Sequence, residues 1–374
     1  MQRVSLIVIQ VFLWLAVPAV LAQEHTLMSS DRLILGTYKE RTASVASGDI
    51  DDDGDIDIIV ANGRHWPGQN RIFINDGRGI FTVEYNLGTQ RSTTYAAELA
   101  DLDKDGDLDI AVANDMAPNY IFINDGKGRY RQGEPFGEPY APSRNLTLAD
   151  LDQDGYVDIL ITNRGRPNEI CINNGQGLFT KSLNFGSDED STIDVEAADI
   201  DQDGDVDLVL ANRDKQANYV YLNDGALGFT EKIPYGTGTD NTRAVAVADI
   251  NNDGHFDIIT ANIDEANKIY YGNATDPFTQ SITFDSWPNK SFAVATADLN
   301  LDGLIDILIG NAGENNAIFL NQENGRKWQQ AELSVEGFRT YDIITSDLNN
   351  DGFQDIIEAN SDEINRYYFN IKKK

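Results

Sequence analysis

Asp49, Asp51, Asp53 and Asp57 stand within the nine residues DIDDDGDID, which hold six aspartates and one glycine. Carboxylates this close repel one another by about 1 kcal/mol per pair in water, and by more where solvent is thin. A folded loop with that charge calls for a cation. Hard oxygen donors select Ca2+ or Mg2+, and a flexible set of about six to eight oxygens favours Ca2+.

The stretch recurs at residues 101, 150, 199, 249, 298 and 347, so successive starts lie 52, 49, 49, 50, 49 and 49 residues apart. Position 1 is always aspartate: Asp49, Asp101, Asp150, Asp199, Asp249, Asp298 and Asp347. Position 3 is Asp51, Asp103, Asp152 and Asp201 in the first four copies, then Asn251, Asn300 and Asn349. Position 5 is Asp53, Asp105, Asp154, Asp203, Asp253, Asp302 and Asp351, and position 9 is Asp57, Asp109, Asp158, Asp207, Asp257, Asp306 and Asp355. These four positions are expected to offer side-chain oxygens. Position 7 varies (Asp55, Asp107, Tyr156, Asp205, His255, Leu304, Phe353), so it is expected to offer its backbone carbonyl. Gly54 and its equivalents permit the sharp turn. An EF-hand would need glutamate at position 12 and flanking helices. Here six of the seven residues at that position, such as Val60 and Ile161, cannot ligate, and only Glu358 can.

Each loop must be held by the runs around it. An apolar run such as TRAVAVADI precedes it and one such as IDIIVAN follows. A third (NRIFIN), a Gly-rich turn (NDGRGIF) and a fourth run (FTVEYNLG) complete the unit. The runs are short, rich in β-branched and aromatic residues, and bounded by Asn, Asp and Gly. Each unit of about 49 residues therefore reads as a four-stranded antiparallel sheet. Seven such sheets bury both faces when packed radially. The last unit stops at NRYYFN after its third strand, while DRLILGT near the start matches a fourth strand. Residues 32 to 36 are thus expected to complete the last blade and close the ring, making residues 32–374 one all-β domain. Residues 23–31 form a short segment before it.

The pattern D-x-[DN]-x-D-G-x-x-D between two strands, repeated at about 50 residues, resembles the FG-GAP/VCBS repeat family, which includes the integrin α-subunit head and some fungal lectins. The resemblance covers essentially all of residues 32–374. It implies a seven-bladed β-propeller with up to seven Ca2+ sites in the loops joining first and second strands. Carried over, the first site is Asp49, Asp51, Asp53 and Asp57, and the others follow at the same offsets. The three Asn-containing loops have one charge fewer and are expected to bind more weakly.

The chain carries 29 Lys and Arg against 61 Asp and Glu, a formal net charge of −32. Such a surface repels nucleic acid and anionic lipid and attracts cations. Residues 1–22 read as an export signal: Arg3, an apolar run, and Val20-Leu21-Ala22 before a cleavage site. An uncleaved anchor is the alternative. A secreted, extracellular or periplasmic monomer is expected, without membrane insertion of the mature chain. Cys171, the only cysteine, lies in an apolar run and is expected to be a buried hydrophobe rather than a nucleophile.

A partner is expected on the face opposite the acidic loops, where the resemblance also points. There the first unit spans eight positions from Asn62 to Asn70, where five of the other six span five. The insertion carries Arg64, His65 and Trp66, residue types suited to binding a carbohydrate or an extracellular protein. Arg164, Arg166, Arg213 and Trp287 share that face. Enzymatic signs are thin: of three histidines, His25 lies beside the expected cleavage site, His255 lies in an acidic loop, and only His65 is placed for acid–base work. The enzymatic alternative is a polysaccharide lyase or sugar dehydratase using His65 with Arg64 or Arg166 and Tyr95 or Tyr140. Thr42, Thr94, Ser143, Thr192, Thr242, Ser291 and Thr340 share one position and suggest a repeated structural hydrogen bond.

Overall fold

A computed structural model of the chain describes residues 25–285, 287–333 and 336–373. The expected export signal lies outside them. Among the described residues every regular element is a β-strand, and no helix is long and apolar enough to cross a membrane.

The third unit shows the plan. Ser143–Ala149, Asp158–Asn163, Asn168–Ile172 and Lys181–Phe185 pair antiparallel in that order. The second strand is buried at all six residues, because neighbouring units cover both of its faces. The fourth strand leaves Lys181, Ser182 and Asn184 in solvent and turns Leu183 and Phe185 inward. In the Gly-rich turn of the first unit, the Asn75 side-chain oxygen accepts the amides of Gly77 and Gly79 at 3.1 and 2.8 Å. Gly79 has φ +70°, and a Cβ there would meet the Phe369 ring at 2.4 Å.

Five units form separate four-stranded sheets, and the remaining strands form one seven-stranded sheet, giving six sheets where the sequence suggested seven. The difference arises from two long strands that each serve two ladders. Asp355–Lys372 pairs by its first half with Thr340–Ser346 and by its second with the N-terminal strands. Ile34–Gly48 pairs by its start with that strand and by its end with Asp57–Asn62. Ile34 and Leu35 lie opposite Arg366 and Asn365, within the segment expected to complete the last unit. The pairing also reaches further back: His25–Met28 lies opposite Phe369–Lys372, so part of the segment 23–31 is itself a strand. Among the described residues no sheet closes on itself.

Seven apolar clusters of described residues fill the junctions between units. One joins units two and three through Ala111, Ile121, Leu146 and Ile161, and includes Cys171. Another joins the last unit to the first through Val45, Val60, Ile357 and Phe369. Polar ties accompany them. Six of the seven Thr/Ser hydroxyls donate to the Asn ending the next strand, as Thr42 does to Asn62 at 2.9 Å. Five accept from an Asn of the preceding unit, as Thr94 does from Asn70 at 3.0 Å.

Candidate functional site

The acidic loops fold alike. In every loop the position-7 amide donates to the position-5 carboxylate at 2.9–3.1 Å. The glycine amide donates to the position-1 carboxylate, as Gly54 does to Asp49 at 2.9 Å. Position 4 has φ between 55° and 64° in all seven, and the following glycine between 83° and 100°. These bonds use part of each carboxylate and wrap it around a point.

Four loops bring three carboxylates to within 4.8 Å of one another: Asp49/Asp51/Asp53, Asp101/Asp103/Asp109, Asp150/Asp152/Asp158 and Asp199/Asp201/Asp203. Such triplets can hold a metal ion, and the donor set suits a hard cation. One buried oxygen each of Asp51, Asp103, Asp150, Asp199 and Asn251 has no hydrogen-bond partner among the described residues. Burial, then the neighbouring aspartates, raises Asp51 and Asp103 above the ordinary carboxylate range. A cation would relieve both the unmade bonds and the repulsion.

Position 9 has an additional task. Asp57 is fully buried and accepts the Ile50 amide at 3.1 Å and the Asn75 amide at 2.8 Å. The same pair of bonds recurs at Asp109, Asp158, Asp207, Asp257, Asp306 and Asp355. Burial pushes Asp57 up to about 7 despite those bonds. Glu358, the one glutamate at position 12, is buried and accepts from Asn316 and Tyr368 at 2.6 and 3.1 Å, away from its loop. Of the position-7 side chains, Tyr156 lies under the Lys104 ammonium (4.5 Å) and Phe353 packs edge-on against His25 (4.8 Å). His25 is thus buried in a strand contact.

At the other end of each first strand, the register slips by one residue directly after the Thr or Ser. Such a bulge re-aims one side chain. The seven bulged residues are Ala43, Tyr95, Arg144, Ile193, Arg243, Phe292 and Tyr341. All but Ile193 line a cavity of about 590 Å3 to which all seven first strands contribute. Arg144 lies over the Tyr95 ring (4.5 Å), Arg243 over Phe292 (5.7 Å), and Phe292 packs edge-on against Tyr341 (4.8 Å). Deeper in the cavity stand Glu98, Asp194, Glu196 and Asp342. Asp342 accepts the Val45 amide at 3.0 Å, a tie from the last unit to the first, and Asp194 accepts the Val245 amide at 3.0 Å. Asn145 donates to Asp194.

The three residues of the long insertion diverge. Arg64 turns to the last unit, donating to Ser361 at 3.2 Å and lying 4.0 Å over the Tyr341 ring. His65, at φ +66°, turns to the second unit, with its Nδ1 2.8 Å from the Tyr95 hydroxyl. Trp66 is 65% exposed. Burial, then Arg64 and Arg144, lowers the His65 pKa, which favours neutral imidazole. Burial raises Tyr95. Arg144 pairs with Asp115 at 2.8 Å, and Met116 donates its amide to the Ala141 carbonyl. His65, Tyr95, Arg144 and Asp115 thus form one connected network. Around it, Met116 (59%) and Tyr140 (61%) are exposed at positive φ. Among the described residues no contact joins Arg164 or Arg166 to His65: Arg164 pairs with Asp214 at 2.6 Å, as does Arg213 at 3.3 Å, and Arg166 is exposed. Sequence inspection did not single out Glu98, Arg144, Glu196, Arg243 or Tyr341. Their signal was positional: Arg144, Arg243 and Tyr341 directly follow a repeated Thr or Ser, and Glu98 and Glu196 stand four residues after one.

The FG-GAP-like repeat matches residues 49–112, 101–161, 150–210, 199–260, 249–309 and 298–358. No curated protein matches. Among solved structures, BBS1N, crystallised in complex with ARL6DN, is similar at 12% identity and a TM-score of 0.63, over 92% of this chain and 96% of that one. Raptor from Chaetomium thermophilum is similar at 13% identity and 0.61, over 95% of this chain and 30% of that one. At these identities the likeness concerns the fold alone: a β-propeller of four-stranded antiparallel blades. Six tandem matches, together with the common loop geometry, make the chain a member of the FG-GAP-like repeat family.

Proposed function

We propose that the chain is an exported, Ca2+-stabilised seven-bladed propeller that recognises a carbohydrate on the face away from its acidic loops. Three ties from the last unit to the first support a closed ring: the ladder to Ile34 and Leu35, the apolar cluster, and the Asp342–Val45 bond. Counted this way, the seven-stranded sheet is blades one and seven sharing long strands. Ca2+ follows from hard oxygen donors and partner-less buried oxygens, with the four all-aspartate loops the tightest sites. Export rests on residues 1–22, and extracellular Ca2+ suits sites of modest affinity. The net charge argues against nucleic acid, and a monomer that does not insert into membranes is the expected form.

The observation that carries the functional reading is the patch at blades one to three. A network of His65, Tyr95, Arg144 and Asp115 offers donors and acceptors, and exposed Trp66, Met116 and Tyr140 offer apolar faces around it. Bulky residues held at positive φ suit a surface kept for binding rather than packing. An oligosaccharide array probed with Ca2+-saturated protein tests this. Binding that Trp66→Ala or Tyr140→Ala abolishes supports it; an array without any bound glycan overturns it.

A second reading, a polysaccharide lyase or sugar dehydratase, is favoured by one observation, the 2.8 Å contact between His65 and Tyr95. A neutral imidazole beside a tyrosine hydroxyl and Arg144 can take a proton next to a carboxylate. Ultraviolet absorbance of unsaturated products from uronate polysaccharides tests it, and turnover that survives His65→Ala sinks it.

A further inference from the structure

The cavity beside the patch holds more carboxyl groups than its cations can pair. Glu98, Asp194, Glu196 and Asp342 line it, against Arg144 and Arg243. Arg144 is already paired with Asp115, which leaves Arg243 alone to face four carboxylates. Asp194 and Asp342 rest on backbone amides. Among the described residues Glu98 and Glu196 have no hydrogen-bond partner, and both are half-buried in the cavity wall. Burial, then repulsion from Asp194 and Asp342, holds Glu196 up at about 8. Burial and the same neighbours raise Glu98 as well.

Size and spacing indicate what would balance this charge. Among the described residues, carboxylate triplets close enough to share one ion occur only in the acidic loops. The cavity acids are spread more widely, and about 590 Å3 is the volume of a small-molecule site rather than of an ion cage. Tyr95 belongs both to the cavity wall and to the His65 network, so the patch and the cavity are continuous.

We infer that the cavity receives the protonated amine of the bound sugar, making this a site for amino sugars in which Glu98 and Glu196 pair with the ammonium group. The inference rests on the carbohydrate reading above and specifies its ligand. A cation arriving between partly protonated carboxylates displaces their protons, so binding near pH 7 is accompanied by proton release.

Isothermal titration of the Ca2+-saturated full chain with a glucosamine tetramer and its N-acetylated counterpart tests this, in two buffers of different ionisation enthalpy. The free amine is expected to bind at least tenfold more tightly, with proton release. Glu98→Gln/Glu196→Gln should bring it down to the affinity of the acetylated probe and remove the proton release. Thermal melting checks the fold of the double variant, and Glu98→Gln alone carries the test if the double variant is unfolded. Equal affinity for the two probes, or wild-type binding by the Gln variants, overturns the inference. Trp66→Ala separates the two ideas. If it abolishes binding of both probes and no amine preference exists, the carbohydrate patch stands and the amine assignment falls. If amine binding survives Trp66→Ala but not Glu98→Gln, the cavity assignment stands and the patch falls.

Discussion

The two ends of the first strands start from the same repeated backbone and treat their side chains in opposite ways. At the loop end, aspartate returns at positions 1, 5 and 9 in all seven units, and the hydrogen bonds return with it. At the bulge end, the register slip returns seven times, yet the re-aimed residue is Ala, Tyr, Arg, Ile, Arg, Phe or Tyr. Uniform side chains on a uniform backbone solve one problem repeatedly, here the neutralisation and bracing of a turn. Varied side chains on a uniform backbone make one lopsided surface, as the proposed recognition of a single ligand would require.

The largest test of this contrast is chelation. On the proposed reading, four all-aspartate sites, each adding about 1.4 kcal/mol at Ca2+ tenfold over Kd, would together supply about 6 kcal/mol. EDTA should lower the melting temperature by roughly 10 °C in scanning calorimetry. An unchanged melt would remove the bracing role from the loop end.

Within the loop, Asp57→Ala should cost about 2–4 kcal/mol, because it strands the buried amides of Ile50 and Asn75. The loss should persist in EDTA, whereas the effect of Asp51→Asn should fade there. Urea denaturation with and without Ca2+ separates the two roles.

The bulge end should respond to pH. Glu196 has a folded-state pKa above its unfolded one, so the native state holds the proton more tightly. Stability is therefore lost as pH rises from about 4.5, the unfolded value, through about 8. Ca2+-saturated protein should melt several degrees lower at pH 8 than at pH 5, and Glu196→Gln should flatten part of that slope. Glu98, Asp194 and Asp342 beside it, together with buried position-9 aspartates such as Asp57, set the remainder, since burial raises each of them as well.

The smallest effect on stability belongs to Trp66→Ala, below about 0.5 kcal/mol for so exposed a side chain. Its effect on glycan affinity should be about tenfold or more. A large stability loss would mean that the insertion braces the fold rather than serving a ligand.

Much of the loop end was legible in the sequence, because a spacing and a residue pattern repeated seven times leave little freedom. The second role of Asp57 was not, since its amide donors are 7 residues before it and 18 after it. The merging of the terminal units into one sheet was half visible: DRLILGT marked Ile34 and Leu35, but nothing periodic marked His25–Met28. The bulge end was the least legible. His65 meets Tyr95 across 30 residues and Asp342 meets Val45 across 297, so their proximity exists only once the blades are arranged. The residue after each Thr or Ser held a clue all the same, in changing between Ala, Tyr, Arg, Ile and Phe beside a hydroxyl residue that returns in every unit.

The register at the chain ends has a mechanical consequence. His25 lies opposite Lys372, and Met28 opposite Phe369. A tension applied between these two ends would load the rungs of that ladder one after another, as a zipper is opened, rather than all at once in shear. The seam would part at low force, while the interiors of the other blades, which lie outside the path of the load, would stay folded.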